Sequence, residues 1–324
     1  MNATSNRLLA AALIVLPGCS AERVLALANA PRDANGDPGD VGGNSSDAAE
    51  DRADLGGGGV DAAGGWTPFG VPQLVGGLRG DSDVVEDPSL TFEELELYFT
   101  SPTTGQNDIW VSRRTSATDP WGPSTLVAEL SSPQNDEDPE VSVDGLVMYF
   151  TSDRGGDGRH VYTSQRRTRD IPWETPVRAN DLGSSTLDQA PALDRAQLYL
   201  VFSSQRGAAT VPHLYSATRP PSAAWQNPTA ITALGSGFED TDPALFADGR
   251  AMLFASRRLT QGGASDLFQA ARSDASVPFA SSLAPVTELD TDASEEDPWV
   301  SQNGRHLLFV SDRSGRKRIY EAWR

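Results

Sequence analysis

The sequence predicts an all-β fold: a five-bladed β-propeller of four-stranded antiparallel blades, its ring closed by an N-terminal strand that completes the last blade. Three observations predict it. An acidic cluster ending in Asp-Pro recurs at Asp87-Pro88, Asp138-Pro139, Asp242-Pro243 and Asp297-Pro298, with Ala190-Pro191 as a degenerate copy, and the five prolines lie 51, 52, 52 and 55 residues apart. An aromatic residue ahead of the fourth strand recurs at Trp66, Trp121, Trp173, Trp225 and Phe279, at intervals of 55, 52, 52 and 54. The 324 residues include 30 Gly and 22 Pro, which mark many turns and leave little room for long helices. Two independent markers that keep one period over five copies define a repeat architecture.

Each unit reads as four short strands. The first follows the acidic Pro and ends in a tight turn, as in Val141-Ser142-Val143-Asp144-Gly145, where Asp-Gly between apolar runs signals a hairpin. The second is the apolar run Val147 to Ser152, matched by Leu95 to Ser101, Leu198 to Ser203, Met252 to Ser256 and Leu307 to Ser311. A Gly- and Arg-rich loop follows, fullest at Asp153-Arg154-Gly155-Gly156. The third strand is Val161-Tyr162, matched by Ile109-Trp110, Leu214-Tyr215, Leu267-Phe268 and Ile319-Tyr320. The fourth starts near the aromatic marker. Four strands per period of about 50 residues is the arrangement of a propeller blade. The last unit stops after its third strand, whereas residues 66–78 supply a fourth strand with no blade of its own. Joining the two closes the ring and removes exposed strand edges.

The chain divides into residues 1–19, 20–65 and 66–324. The apolar run Leu8 to Leu16 follows a single Arg7 and is too short to span a bilayer, which fits a secretory signal. It ends in Leu16-Pro17-Gly18-Cys19, which resembles the lipobox of bacterial lipoproteins. That resemblance implies lipidation of Cys19 and, with Ser20 after it, sorting to the outer membrane. Residues 20–65 hold no aromatic residue and are crowded with Gly, Ala, Asp and Ser. Such a composition cannot offset the entropy of ordering, so it reads as a tether with a reach of roughly 35–40 Å. Residues 66–324 are the propeller.

The repeat units resemble the WD40-like (PD40) repeats of TolB-type propellers of bacterial envelopes. The pattern there runs Asp-Pro-x-apolar-Ser, Asp-Gly, Phe-x-Ser-Asp-Arg, then Asp-Ile-Tyr. It is clearest here in Asp138 to Tyr162 and Asp297 to Tyr320. The resemblance covers nearly all of the folded part and implies a fold much more than a function. TolB-type rings usually have six blades, and this sequence supplies five units.

Charge and composition exclude several function classes. With 45 Asp plus Glu against 26 Lys plus Arg, the formal charge is −19, which argues against nucleic acid as a partner and leaves a lipid anchor as the expected contact with membrane. One Cys excludes a disulfide framework and a Cys-based zinc site. No Gly-x-Ser-x-Gly, phosphate-loop or His-Glu-x-x-His sequence occurs. His160 and His213 stand at one repeat position, where Asp108 and Asp266 stand in other blades, which points to a shared structural hydrogen bond. His306 has no partner evident from the repeat.

Propeller geometry puts the loop before each first strand and the loop between the second and third strands on one face. That face collects Glu86, Asp87, Glu137, Asp138, Asp242, Glu296 and Asp297, with Arg154 and Arg313 around them, as a candidate binding surface. The opposite face, with Arg113, Arg114, Arg166, Arg167, Arg169, Arg219 and Arg272, is expected to be less acidic. Three readings of the carboxylate ring stand side by side. Each acid pairs with an arginine as a structural repeat; the excess charge attracts a cation or a basic segment; or two carboxylates work as the acid and base of a glycosidase.

The expected function is a non-enzymatic, monomeric envelope lipoprotein, a platform for a protein segment or an envelope polymer. The alternative is a secreted carbohydrate-active enzyme or a glycan-binding lectin. No catalytic residue and no cofactor is assigned; a calcium or sodium ion in the channel is compatible with either reading.

Overall fold

The apolar runs alternate with Gly-, Asp- and Pro-rich turns, and in the computed structural model they form strands throughout. The structure describes residues 67–79, 83–102, 105–207, 209–279 and 283–324. The expected signal segment with Cys19, the tether and Trp66 lie outside the described residues. Among the described residues no helix is long and apolar enough to cross a membrane.

Among the described residues, twenty strands form five antiparallel sheets of four. The first blade is β2 (Glu86–Leu90), β3 (Glu96–Pro102), β4 (Asn107–Arg113) and β5 (Thr125–Leu126), preceded in the chain by the short β1 (Gln73–Leu74). The second is β6 (Asp136–Val141), β7 (Val147–Ser152), β8 (His160–Gln165) and β9 (Val177–Arg178). The third is β10 (Asp188–Leu193), β11 (Tyr199–Ser204), β12 (His213–Thr218) and β13 (Gln226–Ala230). The fourth is β14 (Asp240–Phe246), β15 (Ala251–Ser256), β16 (Asp266–Ala271) and β17 (Leu283–Pro285). The fifth is β18 (Glu295–Val300), β19 (His306–Ser311) and β20 (Arg318–Trp323), completed by β1, with Gln73 opposite Glu321 and Leu74 opposite Tyr320. The ring closes as the sequence predicts, although the closing strand is two residues long rather than a run over residues 66–78.

The core lies between blades rather than within them. Five buried apolar clusters each draw side chains from two neighbouring blades. Every second strand contributes a fully buried phenylalanine: Phe99, Phe150, Phe202, Phe254 and Phe309. Truncating any of them to alanine removes about 3–5 kcal/mol.

A repeated polar device holds the edge of each blade boundary. The arginine that follows the third strand donates its Nε–H to the first turn of its own blade: Arg114 to the carbonyl of Glu94, Arg166 to Gly145, Arg219 to Gln197, Arg272 to Gly249 and Arg324 to Gly304. Each guanidinium then lies over an aromatic ring, of Trp121, Trp173, Trp225, Phe279 and Phe69 respectively. The aromatic marker is therefore a cation–π platform. In the closing blade that place belongs to Phe69, not to Trp66, three residues upstream. Phe69 precedes β1 by four residues, as Trp121 and Trp173 precede β5 and β9. These arginines do not form a free basic face; they are built into the blade boundaries.

Candidate functional site at the channel mouth

Each first strand is bulged at its x-Pro pair, and the residue before proline is left-handed. The φ angles are 52° at Asp87, 53° at Asp138, 49° at Ala190, 52° at Asp242 and 50° at Asp297. Register shifts fall at the same places, between Glu86 and Ser89, Glu137 and Glu140, Gln189 and Ala192, Thr241 and Ala244, and Glu296 and Trp299. A non-glycine residue in this region costs about 1–2 kcal/mol, and proline disfavours helical geometry in the residue before it. Asp bears such a conformation better than most residues. Ala190 adopts it without a polar side chain, so the ring geometry imposes the bulge and aspartate is the residue that best tolerates it.

The five bulges meet around the channel. Asp87, Asp138, Asp242 and Asp297, together with Ala190, the five prolines and Glu140, enclose a neck of about 40 Å3. Above it opens a vestibule of about 420 Å3 that shares the four aspartates and adds Glu86, Glu137, Glu239 and Glu296. Among the described residues, three cations, Arg159, Arg257 and Lys317, line it against those eight carboxylates.

All three cations are engaged by the outer glutamates. Arg159 meets Glu137 at 3.0 Å, Arg257 meets Glu239 at 3.0 Å, and Lys317 sits 2.5 Å from both Glu86 and Glu296. The neck aspartates are satisfied differently. Asp138 donates its N–H to Asp87 at 3.3 Å, Ala190 donates its N–H to Asp138 at 3.1 Å, and the Thr241 hydroxyl donates to Asp242 at 2.8 Å. The ring thus links blade to blade until Ala190 interrupts it.

The electrostatics follow from this crowding. Burial, with the neighbouring charges of Asp138 and Glu86, raises the Asp87 carboxyl well above its ordinary range. Burial, then Asp87 and Asp242, does the same to Asp297. Burial, with Asp138 and Glu296, pushes Asp242 up to about 7. Glu140 is also pushed up to about 7 by burial, although it accepts the Leu193 N–H and the Ser89 hydroxyl and so ties three blades together. Lys317 loses solvation too, but the charges of Asp297, Glu296 and Glu86 outweigh that loss and hold its ammonium protonated beyond the usual lysine range.

The structure therefore brings together seven of the sequence-predicted site residues: Asp87, Asp138, Asp242, Asp297, Glu86, Glu137 and Glu296. It places Arg154 and Arg313 elsewhere. Arg154 binds the Leu130 carbonyl and Asp136, both at 2.5 Å, and Arg313 binds the Leu289 carbonyl at 2.8 Å and Glu295 at 2.9 Å. Arg206 with Asp188 and Arg258 with Asp240 repeat the arrangement. These acids are 0–1% exposed and form a second, fully paired ring two residues upstream of the neck aspartates. The sequence reading missed Arg159 and Lys317 as vestibule cations, since Asn107, Pro212 and Ser265 stand at their repeat position in the other blades and no repeated charge marks it.

The histidines divide. His160 and His213 both face the next blade's paired acid, Asp188 at 3.8 Å and Asp240 at 3.4 Å, but only His213 comes within hydrogen-bond distance of it, so the expected shared hydrogen bond is not made by both. His306 does have partners: Glu94 at 3.0 Å, Glu321 at 3.3 Å, and the Trp323 ring stacked at 3.7 Å.

Among the described residues, carboxylates close enough to share one metal ion occur as Glu86, Glu296 and Asp297 and as Asp266, Asp290 and Glu295. In the first group the Lys317 ammonium already supplies the cation. The four neck aspartates do not form such a group. Among the described residues no aromatic side chain lines the vestibule, so none of them offers a flat apolar face to a sugar ring there.

No protein-family model matches the sequence, and no curated protein matches it. Solved structures do. The chain is similar to an endo-arabinase from Bacteroides thetaiotaomicron at 14% identity, covering 80% of this chain and 98% of that one with a TM-score of 0.57. An α-L-arabinofuranosidase from Podospora anserina, solved with cellotriose, matches at 11% identity over 79% of this chain and 95% of that one, TM-score 0.54. TolB from Acinetobacter baumannii matches at 20% identity over 74% of this chain, TM-score 0.46, and the chain spans 54% of that protein. At these identities the likeness is one of fold: the chain is a propeller.

Proposed function

We propose that this chain is an exported propeller, lipid-anchored through Cys19 in the bacterial envelope, and that it works as a non-enzymatic, monomeric binding platform. Its ligand is a cationic segment of an envelope protein, received in the acidic vestibule. One observation carries this reading: eight carboxylates line the vestibule, its three cations are all engaged by the outer glutamates, and four aspartates crowd the neck with no ion-pair partner among the described residues. A lysine or arginine side chain entering there relieves the repulsion that raises Asp87, Asp242 and Asp297. The rigid ring preorganises these acids, and the field above them guides encounter. The resemblance of the repeat to TolB-type propellers supports an envelope role.

Titration of a lysine- and arginine-rich peptide into the native chain, beside a variant carrying Asp→Asn at 87, 138, 242 and 297, tests the reading. Binding that falls with salt and is lost in the variant supports it. Equal binding by both proteins overturns it. A cationic envelope polymer is the other outcome of the same comparison.

The carbohydrate-active alternative has one observation in its favour. A carboxyl near 7, as at Asp242, is suited to a general acid. The neck of about 40 Å3 and the vestibule without aromatic residues favour the platform. Hydrolysis of an aryl arabinofuranoside that disappears with Asp242→Asn would decide for the enzyme.

A further inference from the structure

The arginine device at the blade edges differs from one boundary to the next in what the guanidinium meets in the preceding blade. At the first boundary Arg166 meets a buried carboxylate. Its Nη2 lies 2.7 Å from Glu96 Oε2, Arg113 Nε donates to Oε1 at 2.8 Å, and the Tyr98 hydroxyl donates to Oε2 at 3.4 Å. Glu96 is only 6% exposed, and these partners hold its carboxyl below the usual range even though burial opposes them.

At the second boundary the same parts recur without the carboxylate. Arg219 takes the place of Arg166 and Tyr149 that of Tyr98. Val147 stands where Glu96 stands, and Gln165 stands where Arg113 stands. The register is the same, since Glu96 lies opposite Arg113 and Val147 opposite Gln165. A cavity of about 350 Å3 occupies the space, with Val147, Tyr149 and Arg219 in its wall.

Two polar groups facing it are short of a partner. Arg219 donates Nη1–H to the Tyr149 hydroxyl at 3.1 Å, and no carboxylate among the described residues lies within ion-pair distance of it. The Trp225 indole N–H also donates to that hydroxyl, at 3.0 Å. Tyr149, 4% exposed, thus accepts two hydrogen bonds, and its own proton has no acceptor among the described residues. At the third boundary the corresponding space is filled, because Arg272 lies over the ring of Tyr199, the residue at the Glu96 position.

We propose that the cavity between the second and third blades binds the carboxylate of a small monocarboxylic acid, seated where the Glu96 carboxylate sits one boundary earlier. Arg219 is its counter-ion and the Tyr149 hydroxyl donates the second bond, a charge-assisted arrangement of the kind that Glu96 already displays within this chain. Val147 and Val177 offer apolar wall to a short alkyl stem, and Val177 lies at the solvent-exposed rim. Exposed Glu174 on the same wall disfavours a second negative charge on the ligand. The site is separate from the channel and does not depend on the platform reading.

The test uses the full chain, with butyrate as the probe and butyramide as its neutral match, followed through the NMR resonances of the Trp225 indole N–H and the Arg219 Nε–H. The expected result is saturable binding of butyrate and none of butyramide. Tyr149→Phe weakens butyrate binding about tenfold. Val147→Glu supplies an internal carboxylate, fills the site and abolishes binding. Should Val147→Glu fail to fold, the Tyr149→Phe comparison stands alone. The proposal is overturned if butyrate does not bind, if butyramide binds equally well, or if Tyr149→Phe leaves butyrate affinity unchanged.

Discussion

Two rings of acids stand two residues apart in the same strands, and they live in opposite surroundings. Asp136, Asp240 and Glu295 each meet one arginine, and the hydroxyl of Ser256 or Ser311 adds a further bond to Asp240 or Glu295. Asp138, Asp242 and Asp297 turn instead toward the channel, where their close neighbours are other carboxylates. The same residue type, repeated with the same period, staples blades together in one ring and stores repulsion in the other. The partner of a repeated acid, rather than its repetition, decides what it does.

The largest effect expected from breaking this contrast is in the paired ring. Arg154→Ala strands Asp136 in the interior and removes the cation–π contact with Phe150. A loss of about 3–5 kcal/mol is expected in denaturant unfolding. A loss below about 1 kcal/mol would show that solvent screens the pair and would remove the distinction.

The opposite sign is expected at the neck. Replacing Asp87, Asp138, Asp242 and Asp297 together by Asn keeps acceptors for the Asp138 and Ala190 N–H groups while discharging the ring. The variant should be more stable than the native chain at pH 8, by on the order of 2 kcal/mol. A less stable variant would mean that the charges are balanced by something bound.

The dependence on pH sharpens the same point. A carboxyl whose pKa rises from 3.8 unfolded to about 7 folded binds its proton more tightly in the native state, so stability falls as pH rises across that window. His306, raised by Glu321 and Glu94 despite its burial, acts in the same sense, because its contribution is lost as pH rises through its folded value. The native chain should therefore melt at a higher temperature at pH 5.5 than at pH 8, and Asp242→Asn should flatten that difference. A native melting temperature that rises with pH over this range would contradict the assignment.

The smallest effect is reserved for the vestibule's rim. Arg257 and Glu239 are each more than a third exposed, and Glu239→Gln should change stability by under about 1 kcal/mol.

Much of this architecture is legible in the sequence, because a ring of like blades must repeat its turn residues at one period. The Asp-Pro series marks the bulges, and the runs ending in Phe150-Thr151-Ser152 and its copies mark the second strands. The closing strand is legible only in outline. Trp66 suits the marker by residue type, but the position over Arg324 belongs to Phe69, and only the cation–π geometry tells them apart. At the site, the acids of the channel face are legible and their sorting into two rings is not. Arg154 and Arg313 lie near the neck aspartates in the repeat, yet Asp136 and Glu295 capture them first. Lys317, which holds Glu86 and Glu296 together, shares its repeat position with Arg159, but the uncharged Asn107, Pro212 and Ser265 stand there in the other blades and hide it.

The two-residue clasp between β1 and β20 has a consequence for how the molecule is made. Gln73 finds its partner, Glu321, only after nearly the whole ring has been laid down, so the fifth sheet holds the strand pairing of greatest sequence separation among the described residues. Loop-closure entropy delays such a contact, and a topology rich in distant pairings folds slowly. Until the clasp forms, the outer edge of β20 is an open template for a strand from another chain. The step that ends folding is thus also the step that ends the risk of aggregation, and it rests on a few backbone hydrogen bonds beside Phe69 and Arg324.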